Sequence, residues 1–139
     1  MTIQLRARPG NGTSGERSTR QRRAIRAAFA NSEGPLSAED VVRAARRDGV
    51  EVSLATVYRS LRALIGEGWL TAVELPGTGA RYEIAGKAHH HHFQCLACER
   101  VFELEGCANV AQIRVPRGFR VTAHDLAIYG SCRSCARRR

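Results

Sequence analysis

The sequence predicts an α+β chain in two small parts: three helices and a hairpin in the winged-helix order, then a short-stranded α/β part stapled by cysteines. Three observations carry this. Helical patterns repeat three times over residues 18–64, two β-prone runs flank Pro76-Gly77-Thr78-Gly79, and Cys95-Leu-Ala-Cys98 is echoed by Cys132-Arg-Ser-Cys135. With 139 residues there is room for one domain or two small ones. Lobes that small need a metal, a disulfide or a partner subunit to stay folded.

Residues 1–17 are Gly- and Arg-rich with little apolar surface, and are expected to form a mobile basic arm. A winged-helix unit is expected over 18–84. Ser18 or Thr19 can cap its first helix, which carries Ile25, Ala28 and Phe29 on one face. Ser37-Ala38-Glu39-Asp40 is a capping signature for the second helix, with Val41, Val42, Ala44 and Ala45 inside and Gly49 closing it. Ser53 opens the third, where Val57, Leu61, Leu64 and Ile65 recur at helical spacing. The runs 69–75 and 80–84 make the hairpin, 85–88 a hinge, and 89–139 the second part, which holds every His and Cys and which the resemblance given below implies to be the metal-binding dimerisation domain. Strands are expected there at 93–94, 100–105 and 119–129, with a short helix over 107–113.

The formal charge of +9 and pI near 10.3 favour a polyanionic partner, since clustered cations release counterions from phosphates. Arginine supplies nearly all of it; Lys87 is the only lysine. Neither a signal peptide nor a run of about 20 apolar residues is present, so the expected location is the cytoplasm, with no membrane partner. In that reduced compartment five cysteines point to metal rather than to disulfides.

Each Cys-x-x-Cys pair has the spacing by which a knuckle gives two thiolates to one tetrahedral zinc. Cys95, Cys98, Cys132 and Cys135 together leave no open position, so that zinc is expected to be structural. In an extended segment His89-His90-His91-His92 would alternate faces, His90 and His92 on one and His89 and His91 on the other. Glu83 and Glu103 can complete the first pair. His124 with Cys107 or Glu105 can complete the second. Imidazole, carboxylate and thiolate suit zinc best, though iron, manganese, cobalt or nickel can occupy such sets. No His-Glu-x-x-His or deaminase signature is present, and no enzyme is expected. An interaction module with structural zinc alone is the alternative of another class; it would not need the histidine run.

Ser53-Leu-Ala-Thr-Val-Tyr58-Arg59-Ser-Leu61, the histidines leading into Cys95, and His124 ahead of Tyr129-Gly-Ser-Cys132 together resemble the ferric uptake regulator family. The resemblance runs from Thr19-Arg-Gln21-Arg22 to Cys135. It implies a homodimeric repressor that, loaded with metal, clamps a palindromic, A/T-rich operator in double-stranded DNA and controls metal-uptake genes. Carried over by position, Tyr58 and Arg59 are base and phosphate contacts, with Ser53, Thr56 and Arg22 in the same DNA-facing set. Glu83, His90, His92 and Glu103 match the sensory site, and His89, His91 and His124 the second. Two departures matter. Gly34-Pro35-Leu36 stands where iron and peroxide sensors of the family carry a histidine, and Cys107 lies near the place of a usual carboxylate. The first speaks against an iron or peroxide sensor and the second, a thiolate, favours zinc, so the zinc-responsive branch is expected, with iron-, manganese- or peroxide-responsive members as the alternative.

Overall fold

The structure, a computed structural model, describes residues 14–107 and 112–138. Three helices come first: α1 (Ser14–Ala30), α2 (Ala38–Arg47) and α3 (Leu54–Gly66). A full capping box opens α2. Ser37 Oγ accepts from the Asp40 amide at 3.1 Å, and Asp40 Oδ2 accepts from the Ser37 amide at 2.9 Å. Ser53 Oγ caps α3 by accepting from the Thr56 amide at 3.1 Å.

The start of α1 departs from the sequence expectation. Residues 14–17, read as part of the arm, form its first turn, and residues 1–13 of that arm lie outside the described residues. Thr19 is no cap: its Oγ1 donates to the Gly15 carbonyl inside the helix at 2.9 Å. Burial is not what makes this turn helical, because its residues are exposed. Arg17 and Glu16 are good helix formers, and the turn propagates from an already nucleated helix.

After α3, strands β1 (Leu70–Val73) and β2 (Arg81–Ile84) pair antiparallel, Leu70 opposite Ile84; β1 is shorter than expected at both ends and β2 at its start. Ile25, Val41, Val57, Leu61, Leu64 and Leu70 bury a single core between these helices and the hairpin. Trp69 packs edge-on against Phe29 at 6.2 Å and takes the Arg26 guanidinium on its face at 4.5 Å. Ile65, expected inside, is 39% exposed, one step round the helix from buried Leu64.

A turn at Ala85-Gly86 leads to β3 (His91–Cys95), which is the centre of a second sheet in the order β4-β3-β5. β4 (Val101–Leu104) runs antiparallel and β5 (Ala127–Gly130) parallel to it. A short helix, α4 (Arg133–Ala136), follows Cys132. The expected strand over 119–129 is reduced to β5. In a single chain residues 119–126 have no strand beside them among the described residues, and a strand needs a ladder partner. The expected 107–113 helix falls largely outside the described residues.

The helices touch the second sheet through the α1–α2 loop. The Glu103 amide donates to the Glu33 carbonyl at 2.8 Å, and Gly34 lies so close to β4 that a Cβ there would overlap the Val101 carbonyl. Buried Arg81 ties three elements together: it donates to Asp40 Oδ2 at 3.0 Å and to the Glu99 carbonyl at 2.5 Å. Among the described residues no helix is long and apolar enough to cross a membrane.

Candidate metal centres and nucleic-acid interface

The parallel pairing of β3 with β5 puts Cys95 opposite Gly130, so the two Cys-x-x-Cys turns leave the same end of the sheet. Their four sulfurs lie within 4.8 Å of one another. Cys98 Sγ stands 3.8 Å from Cys132 Sγ, the edge of a tetrahedron with zinc–sulfur bonds of about 2.3 Å. The Cys132 amide donates to Cys95 Sγ at 3.2 Å. That bond, with donors at Cys98 and Ala97, lowers the Cys95 pKa to about 6, while hydrogen bonds to Cys132 and Cys98 push Cys135 up to about 12. A group that already carries thiolate character sheds fewer protons on taking a cation.

The four histidine rings stand in two pairs on opposite sides of the chain, His89 with His91 at 4.6 Å and His90 with His92 at 4.8 Å. Glu83, at the end of β2, receives the second pair. Its Oε2 is 3.2 Å from His90 Nε2 and 3.4 Å from His92 Nε2. Burial alone would raise the Glu83 pKa, but the hydrogen bonds and positive charge of His92 and His90 outweigh it and lower the pKa. The His90 pKa is raised in return: burial opposes protonation, yet the Ala88 carbonyl and Glu83 favour it more. Glu103 faces His92 across the strand pair but is not gathered into this set; Lys87 Nζ holds its carboxylate.

On the other side His89, His91, Cys107 and His124 converge, their ligand atoms within 4.8 Å of one another. Cys107 Sγ is 3.0 Å from His124 Nε2 and 3.4 Å from His91 Nε2, and His89 Nε2 is 3.2 Å from His124 Nε2. Cys107, not exposed Glu105, completes the cluster. Burial and the neighbouring charges of His89 and His124 lower the His91 pKa.

Of the residues the sequence marks for DNA, Arg22, Ser53, Thr56 and Arg59 line one polar cleft between α1 and α3. Arg59 donates to Thr56 Oγ1 at 3.3 Å, while Ser53 Oγ is occupied by the cap. Tyr58 lies outside the cleft, 46% exposed on α3. Arg17 joins the same cleft and was missed, because it was assigned to the arm. Arg81 and Lys87 were missed as well; neither stands in a motif, and only the fold shows what they touch.

A capped helix presented with a basic cleft, joined to a cysteine- and histidine-rich sheet, defines the class of metal-responsive transcription regulators. The family model for the ferric uptake regulator family matches residues 13–129. The chain belongs to that family, whose members are DNA-binding, metal-binding transcription regulators, dimeric in their structures, and not enzymes. The ferric uptake regulation protein of Bordetella parapertussis is 37% identical over 107 residues, 75% of this chain and 77% of that protein. The Campylobacter jejuni protein of the same name is 35% identical over 89 residues, and this chain spans only 57% of its length. A zinc-bound manganese uptake regulator superposes with a TM-score of 0.70 at 28% identity, covering 85% of this chain and 97% of that one. The zinc uptake regulator FurB of M. tuberculosis gives 0.51 at 30% identity, covering 90% and 99%.

Proposed function

We propose that this protein is a zinc-dependent repressor whose homodimer binds a palindromic operator when its sensory metal is loaded, controlling metal-uptake genes in the cytoplasm. The observation that carries the reading is the pair of ligand clusters on opposite faces of one histidine segment, where the helical part meets the sheet. In this reading residues 18–84 form the DNA-binding domain, 85–88 the hinge and 89–139 the metal-binding dimerisation domain.

Cys95, Cys98, Cys132 and Cys135 would hold structural zinc, the four-thiolate set suiting a closed site. Glu83, His90 and His92 would form the sensory site, with Glu103 within reach. His89, His91, Cys107 and His124 would form the second, in which a thiolate favours zinc. A bound cation supplies fixed charge and coordination between β2 and β3; the ligands do the rest by locking the turn at Ala85-Gly86. That restricts how the α3 helices of a dimer are separated, so the fraction matching successive major-groove faces rises. Exposed Ile113, Val115, Phe119 and Val121 offer apolar surface for a second copy. Tyr58, Arg59 and Arg22, with Thr56 and Ser53, would meet DNA.

A second reading, an iron- or manganese-responsive repressor, is favoured by one observation: two imidazoles and a carboxylate suit those ions too. Operator binding with each metal buffered to its cellular range separates the two. The decisive variant is His90→Ala/His92→Ala. It should give a folded dimer whose weak operator binding stays flat as zinc rises, whereas His89→Ala/His91→Ala should only soften the response. A His90/His92 variant that keeps full zinc-dependent binding would overturn the sensory assignment.

A further inference from the structure

Lys87 occupies an unusual place for the chain's one lysine. It follows directly after the Ala85-Gly86 turn, where Gly86 holds φ at 78°. Its ammonium is bonded to Glu103, the carboxylate directly across from His92 in the β3–β4 register. Opposed residues in an antiparallel pair share a face, so Glu103 belongs to the face of His92 and Glu83. Glu83, His90 and His92 supply three ligand atoms, and a tetrahedral ion needs a fourth.

We infer that Lys87 is a built-in competitor for the Glu83, His90 and His92 site: its ammonium occupies the Glu103 carboxylate in the metal-free protein and so sets the metal concentration at which the site fills. This rests on the sensory-site reading above. Filling the site with Glu103 as a ligand requires the Lys87–Glu103 pair to part. It also brings a divalent cation near the ammonium. Both effects oppose binding. The pair is only partly screened, its side chains being 32% and 35% exposed. Lys87 thus acts as a threshold-setting residue: it touches no metal, yet its removal tightens the site by freeing a ligand and deleting a like charge.

The test uses the full-length dimer with its four cysteines loaded, titrated with zinc against a chromophoric competitor. Lys87→Met should bind zinc at the second equivalent roughly three- to tenfold more tightly, from loss of a partly exposed ion pair and a like charge. Lys87→Arg should stay near the parent value. In a Glu103→Gln background the gain from Lys87→Met should collapse to less than about twofold, the coupling expected of residues in direct contact. Unchanged or weaker zinc binding in Lys87→Met overturns the inference, as does a gain that persists undiminished with Glu103→Gln. A parent protein with no zinc equivalent that His90→Ala/His92→Ala removes would instead sink the sensory-site reading itself.

An independent readout follows from there being one lysine. Acetylation of Lys87 by an amine-reactive ester, followed on its peptide by mass spectrometry, should speed up several-fold on zinc addition, and not in the His90→Ala/His92→Ala protein. Zinc that protects Lys87, or leaves its rate unchanged, also overturns the inference.

Discussion

The Ala88 carbonyl and the Glu83 carboxylate can only accept, so His90 donates from Nδ1 to Ala88 at 2.8 Å and from Nε2 to Glu83 at 3.2 Å. Next door the relation is reversed. The Leu126 amide donates to His91 Nδ1 at 3.2 Å, which places the proton of a neutral His91 on Nε2, facing Cys107. A cation at Nε2 of His90 would take the place of one proton and leave the Ala88 bond intact, whereas a neutral His91 could ligate through Nε2 only if Leu126 gave up its bond to Nδ1. Nitrogen-15 correlation spectra of the metal-free protein should report a protonated Nδ1 at His90 and the Nε2–H form at neutral His91; a His90 ring without a proton on Nδ1, or a neutral His91 with one there, would contradict the assignment. Asp40 carries a second residue-scale consequence. Burial would raise its pKa, but the Ser37 hydrogen bonds and the Arg81 and Arg43 charges lower it below 3.8. A carboxylate depressed in this way stabilises the fold above its unfolded pKa, and the contribution is lost as pH falls through the folded value. Asp40→Asn should cost about 3 kcal/mol at pH 7, from the weakened cap and a buried guanidinium left without its partner. In denaturant titrations the gap to the parent should close below about pH 4; a gap independent of pH would show that charge is not the cause.

At the scale of elements, α2 and α3 were legible because Ser37 and Ser53 stand where caps must, ahead of apolar residues at helical spacing. The hairpin was legible from Pro76-Gly77 between β-prone runs, and the four-cysteine group from spacing alone. What remained illegible lacked a local signal. The first turn of α1 is polar, and Ser14-Gly15-Glu16-Arg17 carries helix formers but no apolar residue to mark a buried face. Residues 119–126 look like a strand to any pattern reading, yet strand formation depends on a neighbour that one chain does not offer them. Cys107 and Glu105 sit two residues apart, on a stretch whose bend decides which reaches His124. Gly34 gives an element-scale prediction. Its Cβ would meet backbone at Val101 and Phe102, which cannot swing aside, so Gly34→Ala should push the α1–α2 loop off β4 at about 1–3 kcal/mol. Hydrogen exchange at the Glu103 amide should then rise, because the bond to Glu33 goes with it. On α3, Arg59→Ala should weaken operator binding about tenfold at matched salt while metal content and dimerisation are retained. Normal affinity would mean another surface reads DNA.

For the molecule as a whole, stability is divided unevenly. The helices and hairpin share a continuous apolar core, whereas buried apolar residues of the second sheet are few, chiefly Val101 beside Cys95 and Cys132. Cys95→Ser should therefore unfold the second part and abolish dimerisation, and prolonged chelation should do the same to the parent protein. A soluble dimeric variant of unchanged melting temperature would contradict this.

The staple joins strands that are neighbours in the sheet but far apart in the chain, and that distance governs the order of events at the ribosome. Cys95 and Cys98 emerge first, with β5 and the second cysteine pair still to be made. Until Cys132 is synthesised no amide from that turn is there to stabilise a Cys95 thiolate, and two thiols alone form only half a site. On the four-thiolate reading, metal capture would have to wait for the second knuckle. A nascent chain stalled before Cys132 should hold its helical part folded and its first knuckle open to thiol reagents, and completing the parallel β3–β5 pair should close both the sheet and that window in one step.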